Sequence, residues 1–146
     1  MVGGVAIGGG APVSVQSMTT EKTGCVEACA AQILRLQEAG CDIVRVAVSD
    51  EEDARALPLV KARVRVPIVA DIHFSPRLAV MAVEGGADKL RINPGNIGGE
   101  KEIALVADCV KTHHIPVRVG ANTGSIEPHF LKEYARSARA LVESAL

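Results

Sequence analysis

Aromatic residues are scarce in this chain of 146 residues, which has no tryptophan, one tyrosine and two phenylalanines. A core with so few aromatic rings must be filled by Val, Ile, Leu and Ala, a composition that suits parallel strands and the helices that cover them. A large net charge is also absent, because the formal value is -1. The chain as a whole is therefore not expected to attract nucleic acid or an anionic membrane, and any preference for an anion must be local.

Long apolar runs are absent as well. No stretch approaches the roughly 20 apolar residues that a membrane-spanning helix needs, and the glycine-rich N-terminus lacks the basic and apolar segments of a secretory signal. The four cysteines, Cys25, Cys29, Cys41 and Cys109, show no spacing typical of a disulfide framework. The sequence therefore predicts a soluble cytoplasmic protein that forms one domain at most, or part of one.

The apolar pattern predicts five units, each a strand followed by a helix. Predicted strands cover residues 13–18, 43–48, 67–72, 88–92 and 115–119, and predicted helices cover 25–39, 49–62, 76–84, 100–113 and 127–145. Ser49 with Glu52 is read as the capping box of the second helix, and Ser75 with Pro76 as the start of the third. Residues 2–11 are predicted to form a small hairpin with Gly8–Gly10 as its turn.

Repeated βα units with right-handed crossovers form either an open doubly wound sheet or a (β/α)₈ barrel. An open sheet usually carries a glycine fingerprint at its first βα turn, whereas residues 18–21 read Met-Thr-Thr-Glu here. The barrel is therefore favoured. A complete barrel has eight units and about 250 residues, so the prediction is an α/β chain that forms an incomplete TIM barrel of about five βα units with an N-terminal hairpin.

Arginine occupies the middle of three predicted strands, as Arg45, Arg91 and Arg118, each time between two apolar neighbours. Side chains alternate across a strand, and the side that faces the helices must be apolar. The three arginines are therefore predicted to face the barrel interior, where an isolated charge is costly and needs a partner.

Four more polar residues follow the same alternation. Asp71 and His73 share the interior side of the third strand, and Asn93 lies two residues beyond Arg91. Asn122 joins them if the fifth strand keeps its direction. Barrel enzymes place their active sites at the C-terminal ends of the strands, so these residues are predicted to lie at the mouth of one site.

The arginines suggest one shared anion, because Arg binds phosphate in a bidentate manner and keeps its charge. The glycine-rich loop of residues 93–99 could direct backbone N–H groups towards the same anion. The alternative is a structural ion-pair network around Asp71, but one carboxylate cannot satisfy three arginines. Asp71 and His73 could also hold a metal ion, although the sequence shows no third ligand.

Five motifs occur in this order over nearly the whole chain: residues 7–18 (IGGGAPVSVQSM), 42–48 (DIVRVAV), 70–74 (ADIHF), 89–98 (KLRINPGNIG) and 117–125 (VRVGANTGS). Together they resemble the 4-hydroxy-3-methylbut-2-en-1-yl diphosphate synthase family of the non-mevalonate isoprenoid pathway. The resemblance implies that Arg45, Arg91 and Arg118 bind a diphosphate. It further implies that Asp71, His73, Asn93 and Asn122 belong to the polar part of the pocket.

The resemblance also implies a reaction, the reductive ring opening of 2-C-methyl-D-erythritol 2,4-cyclodiphosphate by an iron-sulfur oxidoreductase. The family has a TIM barrel followed by a C-terminal domain with a [4Fe-4S] cluster, is supplied with electrons by ferredoxin or flavodoxin, and acts as a homodimer. The cluster ligands of the family lie beyond residue 146, and no cysteine of this chain matches them. Residues 1–146 are therefore expected to be the N-terminal, substrate-binding part of the barrel, inactive in isolation. A non-redox barrel enzyme that binds a phosphate or pterin ester, similar to dihydropteroate synthase, is the alternative.

Overall fold

The computed structural model describes residues 1–120, 124, 126, 128–135 and 137–144. Its elements in chain order are β1 (Gln16–Met18), α1 (Val26–Glu38), β2 (Ile43–Val48), α2 (Glu51–Lys61), β3 (Ile68–Ile72), α3 (Pro76–Glu84), β4 (Lys89–Ile92), α4 (Pro94–Ile97), α5 (Glu100–Thr112), β5 (Val117–Val119), α6 (Pro128–Tyr134) and α7 (Ala138–Glu143). The described strands form one parallel sheet in the order β1-β2-β3-β4-β5. This topology confirms the predicted incomplete barrel of five βα units.

An aliphatic core joins the helices to one face of the sheet. The strands contribute the buried residues Val44, Val46, Val48, Ile68, Ala70, Ile72, Leu90 and Ile92. We call this side of the sheet the outer face and the opposite side the inner face. Each fully buried aliphatic side chain contributes about 1.5–3 kcal/mol relative to exposure. The outer face can therefore hold the layers together without aromatic rings.

The N-terminal residues form a tight turn rather than the predicted hairpin over residues 2–11. Val2 and Val5 make an antiparallel bridge, with N–H to carbonyl distances of 2.8 Å and 2.9 Å. The turn of this bridge is Gly3–Gly4. A turn also occurs at the predicted Gly8–Gly10, where Ala11 N–H donates to the Gly8 carbonyl at 3.1 Å, but it does not join the strands of the predicted hairpin. Gly3 has a φ of +53°, and a Cβ there would lie 2.7 Å from Pro67. Only glycine suits both conditions.

This turn covers the start of the inner face. Val2 is 2% exposed and packs against Ile43 and Val69, which lie near the N-terminal ends of β2 and β3. These three residues form a small apolar cluster, separate from the core of the outer face, with Val5 against it. We call this cluster the floor of the inner face.

The first strand is shorter than predicted. Val13 and Val15 are 95% and 55% exposed, and β1 begins only at Gln16. The N–H of Val15 donates to the Asp42 carboxylate at 2.8 Å, so its hydrogen bond goes to a side chain instead of a neighbouring strand. Alternation of apolar residues alone could not reveal this competing partner.

Two helix starts test the capping predictions. Asp50 caps α2, because its Oδ1 accepts from the N–H of Asp53 at 2.9 Å, so the predicted capping box at Ser49 was wrong by one position. Ser75 caps α3 with Pro76 in its first turn, as predicted. Asp53 is itself buried and accepts from Gly24 N–H at 2.8 Å, which ties α2 to the loop before α1.

The single helix predicted from residue 127 is divided into α6 and α7. Ala135 has a φ of +51°, which a helix cannot contain, and the Ser137 hydroxyl accepts from Ala140 N–H at 3.3 Å to cap the second piece. The serine is thus a start signal that the apolar periodicity concealed. Within the described ranges, no helix has the length and apolarity needed to cross a membrane.

Candidate anion-binding site

The register of the strands places the predicted polar residues on the inner face. Registered residues of neighbouring parallel strands lie side by side and point to the same face. Asp71 is in register with Ala47 of β2 and with Arg91 of β4, and Arg91 is in register with Arg118 of β5. These residues form one row that crosses four strands.

Arg45 and Lys89 lie one row lower on the same face. Arg45 is in register with Met18 of β1 and Val69 of β3, and Val69 is in register with Lys89. Val69 belongs to the floor, so these two cations stand directly beside the apolar cluster. Low polarity on that side strengthens electrostatic interactions at the row above.

Asp71 is the centre of the ion pairs in this site. Its side chain is 5% exposed, with Oδ1 3.2 Å from Nη1 of Arg91 and Oδ2 3.5 Å from Nε of Arg45. Nε2 of His73 lies 3.6 Å from the same Oδ2. The structure thus brings four of the predicted residues into one cluster. Nε of Arg45 also donates to the sulfur of Met18 at 3.2 Å.

Positive charge exceeds negative charge on the inner face. Four cations, Arg45, Lys89, Arg91 and Arg118, accompany the single carboxylate of Asp71 on the five described strands. Asp71 pairs with Arg45 and Arg91, whereas no carboxylate of the described residues lies within 4.0 Å of the charged groups of Lys89 or Arg118. A purely structural network would balance these charges. The excess therefore favours a site for an anion.

Lys89 is a site residue that the sequence analysis did not include. It is half-buried at the first position of β4, two residues before Arg91. Burial lowers the pKa of its ammonium group below the ordinary value, and the positive charge of Arg118 lowers it further. Alternation turns Lys89 to the same face as Arg91, but it does not show whether a residue at the start of a strand is covered.

Gly120 is a second residue that was missed as part of the site. A Cβ at this position would lie 3.0 Å from Nη2 and 3.1 Å from Nε of Arg91. The Arg91 guanidinium therefore rests against the Gly120 backbone, whose N–H donates to the Ile92 carbonyl at 2.9 Å. Glycine leaves the space that this arginine needs on the inner side of β5.

The remaining predicted residues lie above the central row. Asn93 is 1% exposed at the end of β4, and His73 is 39% exposed beside the protruding Phe74. His73 and Phe74 line a cavity of about 170 Å³ with Val48, Ser49, Ser75 and Leu78. Asn122 lies outside the described residues.

The loop after β4 differs from the prediction. Residues 94–97 form the short helix α4 instead of an open loop, and Asn96 N–H donates to the Asn93 carbonyl at 3.0 Å. Gly99 N–H donates to Glu102 at 3.0 Å, within the first turn of α5. These two N–H groups are thus satisfied locally, which removes them from the predicted anion contacts.

The sheet is parallel, helices cover its outer face, and a polar cluster lies towards the C-terminal ends of its strands. These features define the class of this protein as a (β/α)₈-barrel domain, present in part. A model of the GcpE TIM-barrel domain family matches residues 1–146, and the chain belongs to this family.

Curated relatives agree with this assignment. Proteins from Exiguobacterium sibiricum, Desulfotalea psychrophila and Caldicellulosiruptor saccharolyticus are 54%, 54% and 50% identical to the chain. Each is named 4-hydroxy-3-methylbut-2-en-1-yl diphosphate synthase (flavodoxin), and each match covers 99% of this chain. The chain spans 40–42% of the length of these three relatives.

Among solved structures, a dihydropteroate synthase from Xanthomonas albilineans, in complex with indole-2-carboxylic acid and 6-chloroguanine, is similar in fold. The TM-score is 0.56, with 89% of this chain and 50% of that chain covered, at 23% identity. A likeness at this identity shows the fold alone. The alternative of a dihydropteroate-synthase-like transferase is therefore not favoured over the family of the closer sequence relatives.

Proposed function

We propose that this chain is the diphosphate-binding part of a 4-hydroxy-3-methylbut-2-en-1-yl diphosphate synthase, and that it binds 2-C-methyl-D-erythritol 2,4-cyclodiphosphate. Relatives of that name are 50–54% identical to it. The structural observation that carries the proposal is the inner face, where Arg45, Lys89, Arg91 and Arg118 accompany one carboxylate on the described strands. A diphosphate supplies the negative charge that this face lacks.

The arginines have different roles in this proposal. Asp71 holds Arg45 and Arg91 in place before the anion arrives, so that binding orders fewer side chains. Arg118 has no described carboxylate partner and can direct its guanidinium fully to a phosphate. His73, Asn93 and Asn122 complete the proposed pocket with polar groups, the last of them outside the described residues.

The names of the relatives include flavodoxin. We propose flavodoxin or ferredoxin as the electron donor, a [4Fe-4S] cluster that supplies the electrons for ring opening, and a homodimer in the cytoplasm as the working form.

The cysteines of this chain do not fit such a cluster. Cys29 is buried in the core, Cys25 is exposed, and no group of three His, Cys, Asp or Glu residues able to hold a metal occurs in the described part of the chain. We therefore expect these 146 residues to bind the substrate without converting it.

Isothermal titration calorimetry with the cyclodiphosphate and with inorganic pyrophosphate tests the proposal. The wild-type chain is expected to bind both, and Arg91→Ala and Arg118→Ala are each expected to weaken binding about tenfold or more, because a hydrogen-bonded charge contributes about 1.5–3 kcal/mol. Arg35→Ala is the matched control, since Arg35 is exposed on α1. Wild-type affinity in both Arg91→Ala and Arg118→Ala would contradict the proposal.

A further inference from the structure

Two cations of the inner face lie near each other without a described counter-ion. Leu90 is in register with Val117, and Arg91 with Arg118. Lys89 is therefore the diagonal neighbour of Arg118 on the inner face, with about 8 Å between the two backbones, a distance that long side chains can bridge. The two other arginines differ, because both contact Asp71.

The environment of Lys89 disfavours the charged form of its side chain. Its pKa is lowered by burial and by the charge of Arg118. The other charged or titratable groups on the inner face are Arg45 on β2, Asp71 and His73 on or just after β3, and Arg91, which shares β4 with Lys89. Asp71 is already engaged with two arginines. A charged lysine in this position destabilises the folded chain unless an anion joins the two cations.

We propose that Lys89 and Arg118 form a phosphate subsite of their own, which binds one phosphate group of the diphosphate while Arg45 and Arg91 contact the other. This inference rests on the proposed function, since it assigns the two halves of the same ligand. It adds Lys89 as a residue that selects a diphosphate over a single phosphate. An anion between the two side chains removes their mutual repulsion and satisfies both charged groups.

The subsite predicts opposite effects of one substitution on binding and stability. Lys89→Met removes a phosphate contact, so affinity for inorganic pyrophosphate is expected to fall about tenfold. The same change removes a charge that is destabilised in the folded state, so the melting temperature of the free chain is expected to rise. A merely structural lysine would lose stability instead. Affinity for inorganic phosphate is expected to change less, because a single phosphate can use the other arginines.

The subsite also predicts a pH dependence. The pKa of Lys89 is lowered in the free chain, and a bound phosphate raises it again by favouring the charged form. Affinity of the wild-type chain is therefore expected to decrease as the pH approaches the ordinary lysine pKa of about 10.4. Lys89→Arg keeps its charge up to this pH, so the difference between these two chains isolates the lysine from the titration of pyrophosphate itself.

The experiment is calorimetric titration of the 146-residue chain with pyrophosphate and phosphate, combined with thermal unfolding by circular dichroism. The variants are Lys89→Met, Lys89→Arg, Arg91→Ala and, as control, Lys101→Met, which changes an exposed lysine on α5. Wild-type affinity in Lys89→Met, or pH profiles that coincide for wild type and Lys89→Arg, would overturn the subsite. If Lys89→Met does not fold, the pH comparison alone decides.

The outcomes also separate this inference from the proposed function. Loss of binding in Arg91→Ala with unchanged binding in Lys89→Met would reject the subsite and leave the diphosphate site in place. A wild-type chain that binds neither anion would reject both.

Discussion

Replacing Asp71 by asparagine is expected to lower stability and raise affinity for a diphosphate. Removing one partner of a fully buried ion pair costs about 3–5 kcal/mol. The side chains of Arg91 and Arg45 are 21% and 27% exposed, so water screens part of this loss. We therefore expect the free energy of unfolding to fall by about 2 kcal/mol, which lowers the melting temperature by about 6 °C in a chain of this size.

The effect on affinity has the opposite sign, because the Asp71 carboxylate repels an anion bound to the same arginines. Two unit charges about 6 Å apart interact by about 3 kcal/mol at an effective dielectric constant of about 20. Salt and water at the open side of the sheet reduce this to about 1 kcal/mol. The asparagine variant is therefore expected to bind pyrophosphate about fivefold more tightly.

Thermal unfolding and calorimetric titration measure these two effects on the same samples. Asp108→Asn is the control, since this aspartate is exposed on α5 and its replacement is expected to alter neither quantity. The expectation that repulsion by Asp71 outweighs its orienting effect would be refuted if Asp71→Asn lost affinity together with stability. That result would show that orientation of the arginines by Asp71 matters more than the repulsion it exerts.

Two further predictions concern single residues. Gly120→Ala is expected to weaken pyrophosphate binding about tenfold with little change in melting temperature, because the new Cβ would lie 3.0 Å from the Arg91 guanidinium and displace it. Gly4→Ala is the control, since no atom lies within 4 Å of its Cβ position. Equal affinity in the two variants would show that the guanidinium moves without loss of binding. In the folded chain, a thiol reagent at mildly alkaline pH is expected to label the exposed Cys25 and to spare Cys29, because burial raises the pKa of the Cys29 thiol and shields it. Mass spectrometry after brief labelling checks this, and equal labelling of the two cysteines would contradict it.

The sequence was sufficient to predict the inner face because charge placement on a strand is unambiguous. An arginine between two apolar neighbours has only one side left to occupy, so Arg45, Arg91 and Arg118 could be assigned without coordinates. Their contact with Asp71 follows from the sequential strand order of a barrel, which places β3 between β2 and β4. Only the distances between these side chains required the structure.

Lys89 shows where this approach failed. A lysine at the start of a strand resembles an ordinary solvent-exposed residue, because no apolar neighbour precedes it in the strand. Its surroundings include the charge of Arg118 and, in register on β3, Val69 of the floor, both from distant parts of the sequence. Register, which the sequence pattern does not specify for a single residue, is what makes this lysine part of the site.

Errors at the ends of elements have local causes. β1 loses its first three predicted residues because Asp42 takes the N–H of Val15. The last helix is divided because Ser137 caps a new one. In both cases a polar side chain competes with the regular backbone pattern, and apolar periodicity contains no information about such competition.

The turn at Val2–Val5 has a consequence for the order in which the chain can fold. Val2 is buried against Ile43 and Val69, which follow much later in the sequence. Contacts so distant in sequence form slowly and after local structure. The Val2–Val5 turn is therefore expected to dock after β2 and β3 have paired, and its docking completes the floor. A substitution at Gly3 would act at this late step, where the strands of the site are already paired but the floor is still open.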